Sequence, residues 1–252
     1  MPYSWTSKDE IGSLIRHKYH QHPVHTEDAV MLKIGHKGTS EKGIPENTLA
    51  SINYAIKAGV DGVEFDLRRT KDNVAVVIHD DTVDNMTNGT GRVRNMELAQ
   101  LKRLEIKNSG ERIPTLDEVL KVIGNNLGLA FIEIKDKGLE RHTLDAIYKN
   151  GMQENAVIIS FSKQILRNVR SMDKNIKLGL DHKGPLNAIS FAVEIGASYL
   201  ISKSQNITAR FVEKARDKGL AVVAWTVNDV KEVDRLRGAG VQGIISDYTN
   251  LW

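Results

Sequence analysis

The chain has 252 residues, 40% of them hydrophobic, which is ample for a sizeable core. It holds no cysteine, which excludes disulfides, thiolate metal sites and cysteine nucleophiles. Net charge is +3, from 35 basic and 32 acidic residues, and aromatics make up 6%; this is a mixed surface without the dense basic, aromatic-interleaved tracts of a nucleic-acid-binding protein.

Within residues 1–30, Ser7-Lys8-Asp9-Glu10 has the spacing of a capping box and is followed by Ile11, Leu14 and Ile15 on one helical face. An N-terminal helical extension and a polar connector are predicted. The histidines of this stretch, His17, His20, His22 and His25, read as solvated side chains rather than as a metal site. The segment has no apolar signal-peptide core, and no later run approaches the roughly 18 apolar residues of a membrane span, so a cytoplasmic location is expected.

From residue 31 the chain becomes rhythmic. Eight apolar runs read as strands: 31–35, 62–67, 129–134, 156–160, 177–180, 198–202, 221–227 and 243–246. They are rich in Val and Ile and continuous rather than alternating, as buried parallel strands are. Helical spacing fills the gaps. Leu49, Ile52 and Ile56 lie between Pro45 and Gly59, the usual asymmetry of helix ends. Phe211, Val212 and Ala215 precede Gly219, and Val230, Val233 and Leu236 precede Gly238 and Gly240. Eight β-then-α units predict an α/β fold, a (β/α)₈ TIM barrel over 31–252 as one domain. An open doubly wound sheet is the alternative, but the Gly-rich dinucleotide fingerprint is missing.

A short insertion, about 68–114, interrupts the rhythm after the second strand. Asp72-Asn73 reads as a two-residue hairpin turn, and 96–104 as a short amphipathic helix. A two-residue turn pairs Lys71 with Val74 and sets Asp66 opposite His79. Glu64, which shares a face with Asp66, then joins the same patch.

In a barrel the C-terminal strand ends converge on one mouth. His36 ends the first strand, Glu64 and Asp66 the second, Glu133 and Lys135 the third, and Trp225 the seventh. Each alone has a structural explanation. Glu64 and Asp66 could anchor Arg68 and Arg69, Glu133 and Lys135 could form a strand-end salt bridge, Trp225 could be core, and Glu46 could complement a helix dipole. Gathered at one mouth, three carboxylates need positive charge between them, and a divalent cation with oxygen ligands, Mg²⁺ or Ca²⁺, supplies it. Two histidines beside it suit general acid and base roles, and Lys37 and Lys135 add positive charge for a phosphate. That chemistry fits hydrolysis of a phosphodiester. His182, after the fifth strand, is a further candidate for the pocket wall.

With these residues in place, the chain resembles the glycerophosphodiester phosphodiesterases. The segments that carry the resemblance are HKG at 36–38, PENT at 45–48, EFD at 64–66, TKD at 70–72 and HD at 79–80. TNGTG at 87–91, IPTLDEVL at 113–120, EIK at 133–135 and WTVN at 225–228 extend it to most of the chain beyond residue 33. The resemblance implies a TIM barrel in which His36 and His79 are the acid/base pair and Glu64, Asp66 and Glu133 bind the divalent metal. It implies that Lys135 contacts phosphate, Trp225 lines the glycerol side and Glu46 sits close by. The implied reaction releases sn-glycerol 3-phosphate and an alcohol from a small-molecule glycerophosphodiester, with a substrate hydroxyl able to attack first and form a cyclic phosphate. The residue after the first histidine departs from the pattern. Lys37 stands where the family has arginine, so a compact point charge replaces a bidentate fork. A lysophospholipase D or sphingomyelinase-D-like lipase on the same barrel, or a non-catalytic phosphodiester-binding barrel, is the alternative reading.

Overall fold

The structure is a computed structural model and describes residues 31–126, 128–184 and 187–251. The expected N-terminal helix and the four histidines on its connector lie outside the described residues.

The strands are β1 (Leu32–Gly35), β2 (Gly62–Arg69), β3 (Ala75–Val77), β4 (Leu129–Ile134), β5 (Ala156–Ser160), β6 (Lys177–His182), β7 (Tyr199–Lys203), β8 (Ala221–Trp225) and β9 (Gly243–Ser246). The helices are α1 (Leu49–Lys57), α2 (Leu98–Leu101), α3 (Leu116–Asn125), α4 (Glu140–Lys149), α5 (Lys163–Met172), α6 (Ala188–Glu194), α7 (Ala209–Arg216) and α8 (Val230–Gly238). The sheet runs β1-β9-β8-β7-β6-β5-β4-β2-β3, and pairing of β1 with β2 closes it. All pairs are parallel except β2–β3. Eight parallel strands with helices between them form the expected (β/α)₈ barrel.

Helix starts follow from local side chains. Thr48, Thr115, Ser162, Thr208 and Asp229 each accept a backbone N–H at the start of α1, α3, α5, α7 and α8. Each of these helices buries one stripe, such as Ile165, Leu166 and Val169 of α5, against the outer face of the barrel. The strands supply the other side of that layer with residues such as Val63, Phe65, Leu67, Ile132 and Val222. The opposite parity points inward. Ile34, Phe131, Val157, Ile159, Ile201, Val223 and Ile245 fill the barrel interior as a second apolar cluster. Gly179 leaves room there, because a Cβ would come within 2.9 Å of Ile159. Glu64, Asp66 and Glu133 are inward residues too, set at the upper end of this plug.

The insertion departs from expectation in two ways. The hairpin loop has three residues, Lys71, Asp72 and Asn73, because Asn73 takes a left-handed conformation (φ 61°) and the Thr70 hydroxyl is held by the Asp72 carboxylate. Leu67 pairs with Val77 and Arg69 with Ala75, so the register is shifted by one and Asp66 lies beside Ile78, not His79. The amphipathic stretch 96–104 is helical only over Leu98–Leu101; beyond it Arg112 takes the carbonyls of Lys102 and Leu104. The insertion packs on a small core of its own, with Val76, Ile78, Val83, Val93, Leu101 and Ile113 buried.

The first and last strands of the chain meet at the β1–β9 seam. Gly35 pairs with Ser246. Past it, Thr39 and Ser40 donate to the Asp247 carbonyl at 2.9 and 3.0 Å. Glu41 accepts hydrogen bonds from Thr249 and Asn250.

Candidate active site

His36 follows β1 on a tight turn that only glycine permits at two places. A Cβ on Gly35 would lie 2.1 Å from the Gly38 carbonyl oxygen, and one on Gly38 (φ 82°) would lie 2.5 to 2.8 Å from Ser51 and Ile52. The turn aims the Lys37 N–H at Glu64 Oε2, 3.1 Å away, and brings His36 Nε2 to 3.9 Å from the same oxygen. His36 Nδ1 lies 2.6 Å from Asp247 Oδ1, and the other oxygen of Asp247 accepts from Asn228 at 2.6 Å. His79 repeats the arrangement locally. Its Nδ1 is 2.8 Å from Asp80 Oδ1, and Asn85 holds the other oxygen of Asp80. A carboxylate on each Nδ1 fixes the orientation of the ring and leaves Nε2 available for proton transfer.

Between the histidines lie Glu64, Asp66 and Glu133, all buried, with ligand oxygens within 4.8 Å of one another. Strand parity and the β2–β4 register place them, since Asp66 is level with Glu133 and Glu64 with Phe131. Asn47, in the left-handed region, fixes Asp66 from both sides. Its amide donates to Asp66 Oδ2 at 2.8 Å, and its side-chain oxygen accepts the Asp66 N–H at 3.2 Å. Lys135 Nζ sits 3.0 Å from Asp66 and 2.9 Å from Glu133.

The charges respond to this crowding. Burial, with repulsion from Asp66 and Glu133, pushes the Glu64 carboxyl well above its usual range. Burial pushes Glu133 up to about 7, against the pull of Lys135. Burial also opposes ionisation of Asp66, but Lys135 and the Asn47 hydrogen bond outweigh it and draw the pKa down to about 2. Buried carboxylates that resist joint ionisation, with only oxygen donors turned together, fit a hard divalent cation.

One cavity of about 160 Å³ gathers His36, Lys37, Glu64, Asp66, His79, Glu133, Lys135 and Trp225, eight of the nine residues expected from the sequence. The ninth, Glu46, stands beside it. It pairs with Lys37 Nζ at 2.8 Å and lines a small adjoining cleft with Asn47 and His79. His79 reaches the cavity despite the shifted register because β3 ends at Val77 and the chain turns inward. Arg68 Nε then holds the His79 carbonyl at 3.0 Å, while Arg68 Nη1 pairs with Asp136 at 2.9 Å. Arg68 is thus not the partner of Glu64 or Asp66. His182 is not on the pocket wall. Its Nε2 meets Ser202 Oγ at 2.5 Å and its Nδ1 meets the Gly184 carbonyl at 2.8 Å, on the outward parity of β6. The inward residue of β6 is Asp181, which lines the cavity with Phe161, Ile159 and Ile201. Burial pushes its carboxyl well above the usual range, helped by the Glu133 charge.

Sequence reasoning gave no role to Asp247, Asn228, Asp181 or Asp80. Asp247 was legible in principle, as an acidic residue directly after the last strand, which in a closed barrel neighbours the first. Asp80 and Asn47 sat inside quoted motifs without a role.

An enzyme with its chemistry at the C-terminal mouth of a parallel barrel is the class that fold and site define. The sequence model of the Glycerophosphoryl diester phosphodiesterase family matches residues 36–251, and the chain belongs to that family. It is 39% identical over 228 residues to a glycerophosphodiester phosphodiesterase of Caldanaerobacter subterraneus subsp. tengcongensis, covering 86% of this chain and 93% of that one. Among solved structures it is similar to an Oleispira antarctica phosphodiesterase in complex with the product sn-glycerol-3-phosphate. That match has a TM-score of 0.78 at 27% identity, covering 86% of this chain and 93% of that one. A glycerophosphodiester phosphodiesterase from Thermotoga maritima matches with a TM-score of 0.74 at 26% identity, covering 90% and 98%.

Proposed function

We propose that this chain hydrolyses glycerophosphodiesters to sn-glycerol 3-phosphate and an alcohol, with a divalent cation, Mg²⁺ or Ca²⁺, held by Glu64, Asp66 and Glu133. The observation that carries this reading is the buried carboxylate trio set between two carboxylate-backed histidines in one cavity. When bound, the cation supplies positive charge to the phosphoryl oxygens and offsets charge that grows in the transition state.

The protein's own groups do the rest. Asp247 and Asp80 hold Nδ1 of His36 and His79, so each imidazole keeps Nε2 for proton transfer with the substrate. One of the two takes the proton of the attacking hydroxyl. The other, protonated, gives a proton to the leaving alkoxide. Lys135 and Lys37 place ammonium groups on the phosphate. Lys37 is oriented by Glu46, whose carboxylate holds Nζ, so Glu46 acts through the lysine. Trp225 forms an apolar wall for the glycerol carbons. A cytoplasmic location is part of this proposal, and among the described residues no helix is long and apolar enough to cross a membrane.

The deciding assay measures release of sn-glycerol 3-phosphate from glycerophosphocholine and glycerophosphoethanolamine with Mg²⁺, with Ca²⁺ and with EDTA. Cation-dependent release is expected; no release with either ion from folded protein overturns the reading.

Asp247 has a separate test. Asp247→Asn keeps the shape but no longer fixes the His36 tautomer, and is expected to lower kcat by roughly 10- to 1,000-fold with KM little changed. A kcat within about twofold of wild type would show that Asp247 only closes the seam.

A further inference from the structure

The proposed hydrolysis leaves one buried group of the cavity without a task. Asp181 is 6% exposed and lines the cavity from β6. Its Oδ1 has no hydrogen-bond partner, one of two such buried side-chain atoms among the described residues. A buried polar oxygen without a partner is costly, and such a cost persists at sites where a ligand completes the bond. The trio that could hold a cation is Glu64, Asp66 and Glu133, and Asp181 is not among them.

Its surroundings narrow the ligand. The cavity wall outside the charged cluster is largely apolar, with Ile159, Phe161, Ile201, Trp225 and Ile245, and with Thr226 as its polar member; the Trp225 side chain also hydrogen-bonds the Asp181 carboxyl. Phe161 and Trp225 pack edge to face with ring centroids 5.7 Å apart. A carboxyl oxygen free to accept or donate, set beside a largely apolar wall, complements a small group with carbon faces and a hydroxyl. A cationic alcohol such as choline is disfavoured there, because Lys183 Nζ already stands 5.4 Å from the Phe161 ring centroid.

Building on the proposed glycerophosphodiester activity, we infer that Asp181 is a specificity-determining residue. Its free carboxyl oxygen bonds a hydroxyl of the substrate's polyol half while Trp225 and Phe161 cover the carbons. A site built to bond a hydroxyl rejects the analogue that lacks it, because its own buried group is then left unpaired. The enzyme therefore selects the polyol half through Asp181 and is permissive toward the alcohol on the far side of the phosphorus.

The test compares wild type, Asp181→Asn and Asp181→Leu on three substrates with the cation present: glycerophosphocholine, its analogue with 1,2-propanediol in place of glycerol (which keeps the hydroxyl next to the ester and lacks only the terminal one), and bis(p-nitrophenyl) phosphate. Wild type is expected to favour glycerol over propanediol by about 10- to 100-fold in kcat/KM. Asp181→Leu is expected to lose that preference, its loss on glycerophosphocholine exceeding its loss on bis(p-nitrophenyl) phosphate by about tenfold or more. Binding gives a readout independent of turnover. In Asp181→Leu, inhibition by sn-glycerol 3-phosphate weakens by the same factor relative to inhibition by inorganic phosphate.

Folding supplies a second check, since replacing a buried oxygen without a partner by carbon should maintain or raise the melting temperature of Asp181→Leu. Equal loss on all three substrates, or a lowered melting temperature in Asp181→Leu, overturns the inference and makes Asp181 structural. A shifted cation dependence also overturns it, assigning Asp181 to the metal. Failure of wild type to cleave glycerophosphocholine at all would instead strike the proposed activity itself.

Discussion

Replacing His36 or His79 by alanine is expected to lower kcat on glycerophosphocholine by roughly 10²- to 10⁴-fold each, the range of a lost general acid or base. The two variants should part company on leaving group. An alkoxide needs a proton to depart, whereas p-nitrophenolate does not. The histidine that serves as acid will therefore show a much smaller loss on a p-nitrophenyl ester of glycerol phosphate, and the base will show the same loss on both. The double variant should be little worse than the worse single one, because half of a proton relay does nothing. Steady-state kinetics at saturating cation check this. A variant that keeps more than about a tenth of wild-type kcat on the choline ester removes that histidine from the chemistry.

The second large effect concerns the carboxylate trio. Glu64→Gln, Asp66→Asn and Glu133→Gln should each abolish cation binding by calorimetry and lower activity by about 10³-fold or more, as EDTA should in wild type. The same substitutions separate function from stability. Glu133 has its pKa raised from the ordinary 4.5 to about 7. A group raised in the folded state stabilises fully below its unfolded value, and that contribution is lost as pH rises through the folded value. The melting temperature of cation-free protein should therefore fall between about pH 4.5 and 7. The fall should shrink in Glu133→Gln, and added Mg²⁺ or Ca²⁺ should offset it in wild type only. A flat profile in EDTA that matches Glu133→Gln would refute this account of the trio.

Much of this was legible in the chain. The runs 129–134, 156–160 and 243–246 fall on their strands to the residue, because each is an apolar stretch bounded by turn or polar residues. Charged residues inside such runs are costly to bury, and that cost marks Glu64, Asp66 and Glu133. What failed depended on local geometry that residue types do not dictate. Asn73 can serve a two-residue or a three-residue turn, and the Thr70–Asp72 contact favours the longer one. On β6 the histidine drew attention, but parity turns His182 outward and Asp181 inward. Asp247 is 211 residues from His36, so only closure of the sheet brings them together.

That last contact makes catalysis a report on topology. The proposed base or acid at the start of the barrel is held by a carboxylate at its end, so the site is finished only when the final strand has zipped onto the first. A native molecule that has opened at this junction alone is expected to keep most of its helices and strands yet hold a His36 without its anchor. Recovery of turnover during refolding should accordingly lag behind the return of circular dichroism. Mild denaturant should silence the enzyme before it unwinds it. In this molecule the activity assay doubles as a gauge of ring integrity.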